Sequence, residues 1–73
     1  MKIKLLLREG GSIVVYKFKE LHYSPKSGTL VTLTPSDCSQ FSIGDVFDDL
    51  TIIGSTIVSI RIKDVKAVLF DED

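Results

Sequence analysis

Residues 2–19 read KIKLLLREGGSIVVYKFK. Two alternating apolar runs flank Gly10-Gly11, and glycine accepts the positive φ of a tight turn at no steric cost. A two-residue turn on these glycines predicts a β-hairpin over residues 2–8 and 12–21. In it Leu7 faces Val14, Leu5 faces Tyr16 and Ile3 faces Phe18. Side chains alternate with period two, so the three pairs share one face. The other face sets Leu6 against Val15, Lys4 against Lys17 and Lys2 against Lys19. One side of this ribbon is core. The other ends in four stacked lysines, and like charges directly opposite destabilise a strand pair unless something neutralises them.

Working outward, Ser24-Pro25-Lys26-Ser27-Gly28 has turn chemistry: proline fixes φ and glycine relieves strain. Residues 29–34 alternate threonine with Leu30, Val31 and Leu33 and predict a third strand pairing back on the second. Pro35 ends it, because proline cannot donate to a ladder. Ile43, Val46, Phe47 and Leu50 then fall at i, i+3, i+4 and i+7, one face of a helix. Ser42 is a suitable N-cap with Asp45 three residues on. This spacing predicts one short helix near 42–50, with Asp45, Asp48 and Asp49 pointing outward. Gly44 argues against the helix, and a strand over 45–53 is the competing reading.

Further on, Gly54-Ser55 closes an apolar run, and residues 57–70 alternate on both sides of Lys63-Asp64. A tight connection there sets Ile62 against Val65, Ile60 against Ala67 and Val58 against Leu69. Lys-Asp is a poor hairpin dipeptide, so a single 3₁₀ turn is an equal alternative. Strand, 3₁₀ turn and last strand is similar to the closing segment of small SH3-like and Sm-like barrels. That likeness is at the level of fold, since no signature motif of either family is present.

The bulk composition agrees. Isoleucine and valine supply fifteen residues and threonine five, while alanine occurs once. Branched side chains suit a pleated surface. The fold class expected is mostly β: a small single-domain antiparallel sheet or partly open barrel over residues 1–73, with five or six strands. At 73 residues a domain buries only about 60% of its unfolded surface. The lone Cys38 precludes an intrachain disulfide. Small chains without such staples often gain burial by oligomerising. No run approaches the roughly 20 apolar residues of a membrane span, and the N-terminus lacks the pattern of a signal peptide. A cytoplasmic protein without membrane contact is the expectation.

Charge is segregated along the chain. Residues 1–36 hold six cations against Glu9 and Glu20, a balance of +4. Residues 37–73 hold Arg61, Lys63 and Lys66 against eight acids, a balance of −5. Such halves can pair within the fold, between copies, or with separate partners.

Chemistry has little support. His22 and Cys38 flank the third strand, but nothing local activates the thiol. Asp45, Asp48 and Asp49 lack the alternating spacing of a calcium loop. Gly10-Gly11 lacks the context of a phosphate loop. No catalytic residue, metal site or cofactor is expected, and the protein is read as a non-enzyme.

Two binding readings follow. The leading one is a non-catalytic module that binds a partner protein, or associates with itself as a homo-oligomer, through exposed sheet surface and segregated charge. A small accessory or inhibitor protein of a virus or mobile element fits that description. Its binding residues would be Lys2, Lys4, Lys17, Lys19, Tyr23, Asp45, Asp48, Asp49 and Phe70. The main support is the second face of each hairpin, where Leu6, Ile13, Val15, Ile57, Val68 and Phe70 call for cover. The alternative is a small nucleic-acid-binding β-barrel that lays the lysine face along a phosphate backbone. A pI near 5.7 and the core-side placement of Tyr16 and Phe18 weigh against it.

Overall fold

The computed structural model describes residues 1–72. Its seven strands are β1 (Lys2–Leu7), β2 (Ser12–Val15), β3 (Glu20–Pro25), β4 (Val31–Leu33), β5 (Val46–Ile53), β6 (Ile57–Arg61) and β7 (Val65–Asp71). They form two antiparallel sheets ordered β2-β1-β7 and β4-β3-β5-β6, which do not close into a barrel. The mostly β expectation holds, with seven strands in place of five or six. The helical elements among the described residues are 3₁₀ turns at Pro35–Gln40, Ile43–Asp45 and Ile62–Asp64.

The opening hairpin forms in a different register from the one its glycines suggest. Ile3 pairs with Val15, Lys4 with Val14, Leu5 with Ile13 and Leu6 with Ser12. The turn is centred on Arg8-Glu9. Gly10 N–H donates to Leu7 O and Leu7 N–H donates to Gly11 O, both at 3.1 Å. Gly10 follows with φ of 102°. This is the three-residue hairpin loop in which a left-handed glycine follows the turn. The register moves by three, an odd number, so β2 turns over. Val15 becomes fully buried and Tyr16 is left 54% exposed.

The same shift breaks the long second strand. Lys17 takes a φ of 53°, and residues 16–19 carry the chain from one sheet to the other. Phe18 N–H donates to Met1 O, Lys19 N–H to Ile53 O and Ser55 N–H to Tyr16 O, each at 2.8 Å. Phe18 thereby returns to the core, 5% exposed. The four-lysine ladder is absent: Lys4 lies opposite Val14, and Lys17 and Lys19 lie outside β2.

β3 is central in its sheet. Leu21 pairs with Leu33 on one side and Ile52 on the other, so its inward residues are covered from both flanks. The predicted strand over 29–34 is realised in its central part as β4. The short helix near 42–50 is not formed; the competing strand is. Val46 and Leu50 are buried as the helical spacing required, but Phe47 is 60% exposed. A strand pairing with both β3 and β6 gains two ladders, whereas an isolated helix of this length is marginal. The two phases along β5 are reconciled by a bulge. The register slips between Tyr23↔Leu50 and Ser24↔Phe47, and Asp48 sits at φ of 69°.

The C-terminal hairpin also opens. β6 pairs with β5 and β7 pairs with β1. The 3₁₀ turn Ile62–Asp64 passes the chain between sheets, and Arg8 N–H donates to Asp64 O at 3.0 Å. Separating β6 from β7 internalises most of the second faces. Ile13, Val68 and Phe70 pack against the buried core with Val15 inside it, while Ile57 stays 70% exposed.

Candidate interaction site

The face of the three-stranded sheet opposite Ile3 and Leu5 is built from β1 outward. Lys4 stands between Val14 and Leu69, Leu6 between Ser12 and Ala67, and Lys2 beside Asp71. Leu69 is 44% exposed. The result is an apolar band of Leu6, Val14, Ala67 and Leu69, crossed by one exposed lysine. β7 borders this face, with β1 as its one strand neighbour. An unpaired edge is a ready template for another strand.

The predicted binding residues scatter across the molecule. Lys2 and Lys4 share the outer face, and Lys17 and Lys19 lie in the crossing segment. Tyr23 is in the core, 6% exposed, with its ring edge-on to Phe41 at 5.7 Å. Burial, and then the charge of Asp45, push its phenol above the ordinary value. Phe70 is half-buried and meets Phe18 at 6.1 Å and Phe41 at 5.8 Å between ring centroids. Neither ring is a surface platform. Asp48 and Asp49 occupy the β5 bulge, and Asp45 O accepts from Lys26 N–H at 3.1 Å. Among the described residues no group of three or more His, Cys, Asp or Glu side chains is placed to hold a metal ion.

His22 and Cys38 are engaged separately. His22 Nε2 is buried 3.0 Å from Glu20 Oε1, outside hydrogen-bonding alignment. Cys38 Sγ donates to Pro35 O and lies 3.7 Å from Met1 Sδ.

A second feature escapes sequence reasoning. Arg8, Lys26, Lys63 and Lys66 line one open depression of about 270 Å³, floored by Ile43, Val46, Ile62 and Val65. None of the four cations makes an ion pair with a described carboxylate. They come from the first turn, the turn after β3, the last 3₁₀ turn and β7. Two of them belong to the acidic half of the sequence. The β1–β7 ladder, which sets Leu7 against Val65, brings Arg8 to Lys63 and Lys66, while Lys26 joins them from the other sheet, its N–H donating to Asp45 O; no local pattern announces these pairings. The depression can hold an anionic group against an apolar floor.

No helix among the described residues is long and apolar enough to cross a membrane. Compared with known proteins, the chain matches no family model, no curated relative and no solved structure.

Proposed function

We propose that this protein is a non-catalytic interaction module that binds another protein, or a second copy of itself, through the β2-β1-β7 sheet. The observation that carries this reading is β7: seven residues long, hydrogen-bonded to β1 on one side and, among the described residues, to no strand on the other. Leu69 stands half-exposed one residue past its midpoint. Strand addition at such an edge gains main-chain hydrogen bonds, and alternate side chains set its specificity. Hydrogen exchange tests it. Amides of Ala67–Asp71 on the open side gain protection as protein concentration rises or a partner is added. Unchanged exchange under both conditions refutes the reading.

A second reading rests on the cationic depression. Arg8, Lys26, Lys63 and Lys66 supply the footprint for a nucleic-acid backbone that the lysine ladder was expected to supply. Four neutralised phosphates on a single strand give a log-affinity against log-salt slope of about −3. Anisotropy with a labelled oligonucleotide measures it. Lys26→Glu/Lys63→Glu should abolish binding, while Lys4→Glu/Lys17→Glu should leave it intact. No binding at low salt removes this reading.

A further inference from the structure

We infer that β7 is a self-complementary edge, built to pair antiparallel with the β7 strand of a second copy of this chain. This rests on the interaction reading and names its partner.

The sheets present four border strands. β2, β4 and β6 have four, three and five residues; β7 has seven. Natural edges are guarded by lysine, proline or a bulge. β7 has such guards at its start, where Lys66 lies at the bulge between Leu6↔Ala67 and Leu7↔Val65. Ala67, Val68, Leu69 and Phe70 carry neither charge nor proline.

Charge chooses the orientation. β2 and β4 carry no charged side chain and β6 carries only Arg61, whereas β7 runs from Lys66 to Asp71 and on to Glu72. A parallel copy would stack like on like. An antiparallel copy brings the basic start of each strand to the acidic end of the other, twice by symmetry.

Faces and burial choose the register. A two-fold axis perpendicular to the sheet keeps the core face of both copies on one side, so residues pair only with others of the same face. Pairing Leu69 with its own copy then sets Val68 against Phe70, Ala67 against Asp71 and Lys66 against Glu72. Centring on Val68 instead would set Lys66 against Phe70 and Asp71 against Val65, which is 1% exposed. Centring on Phe70 would set Leu69 against Asp71 and Val68 against Glu72. The Leu69 register alone matches cation with anion and covers the exposed leucine. Two copies so joined share one six-stranded sheet, β2-β1-β7 continued by its mate. A single strand pair is a small interface, so the dimer is concentration-dependent.

Sedimentation velocity of the full chain over a concentration series tests the pairing. Wild type moves from monomer to dimer. Leu69→Lys, which sets two lysines face to face across the axis, abolishes the dimer. Lys66→Glu and Glu72→Lys each weaken it about tenfold, because each reversal acts twice. The double variant Lys66→Glu/Glu72→Lys returns to the wild-type constant. All three positions are exposed, and circular dichroism verifies that each variant folds. A wild type that stays monomeric at every concentration overturns the inference. So does a double variant as weak as the single ones. If the dimer ignores this series but is broken by Leu6→Lys on the outer face, edge pairing fails while the interaction reading survives.

Discussion

Gly54→Ala should be among the most damaging small substitutions in this chain. The glycine lies where the Tyr16–Lys19 crossing passes over the β5–β6 turn. A Cβ built there meets Tyr16 O at 2.5 Å, Val15 Cγ1 at 2.8 Å and Lys17 O at 3.0 Å. Two of these three atoms are backbone carbonyls, so no rotamer change relieves the clash. Ordinary contact requires the Tyr16 carbonyl to retreat by roughly 0.9 Å, within the range where over-packing costs about 1–3 kcal/mol. That movement also strains the Ser55 N–H to Tyr16 O bond, now 2.8 Å, and losing a hydrogen bond of this kind costs about 1 kcal/mol. The total is about 2–4 kcal/mol, against a stability of roughly 4–11 kcal/mol for a chain of this length. Urea unfolding followed by circular dichroism reads it. With a slope near 1 kcal/mol/M, the midpoint falls by about 2–4 M. Two other glycines separate space from backbone conformation. Gly10 has φ of +102° with nothing within 4 Å, so Gly10→Ala costs only the left-handed strain of about 1–2 kcal/mol. Gly44 has Ser42 Oγ at 3.8 Å as its nearest neighbour; Gly44→Ala is neutral or stabilises by about 0.4–1 kcal/mol. A Gly54→Ala midpoint within 0.5 M of wild type, or a cost below that of Gly10→Ala, refutes the reasoning.

Leu50 is fully buried where β5 meets both β3 and β6, so Leu50→Ala should cost about 2–5 kcal/mol by equilibrium unfolding. The Asp37 carboxylate accepts from Thr34 N–H at 3.1 Å and from Thr34 Oγ1 at 2.8 Å, which holds it below the usual carboxylate range. Its contribution to stability is present above an ordinary Asp pKa and lost as pH falls through the folded value. Asp37→Asn should therefore lower the unfolding midpoint at neutral pH and narrow its loss between pH 5 and pH 2. Tyr23 works in the opposite direction. Its phenol is raised by burial and by Asp45, so the unfolded chain loses that proton first and stability declines as pH rises past about 10. Tyr23→Phe should flatten that alkaline decline, as measured by midpoints between pH 9 and pH 11.

Much of the fold is legible in the sequence because it is local. Branched residues fix the β class, Pro35 keeps the strand Val31–Leu33 from running on, and the poor hairpin chemistry of Lys63-Asp64 allows the 3₁₀ turn that forms. Ile3 and Leu5 are correctly placed in the core by alternation alone. Alternation cannot say which strand lies opposite, however. The first hairpin could turn at Gly10-Gly11 or three residues out of that register, and both put apolar residues on one face. What selects the observed register lies far away in sequence: Gly54 must be small for residues 16–19 to cross, and Met1 and Ile53 must offer carbonyls to Phe18 and Lys19. The helix near 42–50 yields to a strand because β3 and β6 stand ready on either side, a gain no local pattern contains.

The candidate surfaces divide along the same line. The sequence by itself determined a β protein with its charge split between halves and with β-compatible runs longer than one small core can cover. Only the tertiary structure decided which of those runs stay uncovered. The β1–β2 register buries Val15, packs Ile13 against the core and disperses the four hairpin lysines, while pairing β7 with β1 rather than β6 packs Val68 and Phe70 against the core and brings Arg8 to the depression it shares with Lys63 and Lys66. The β7–β1 pairing also leaves Leu69 at an open edge. Strand pairing is non-local, so a ladder between residues 2–7 and 65–71 reassigns faces that short-range periodicity can only propose.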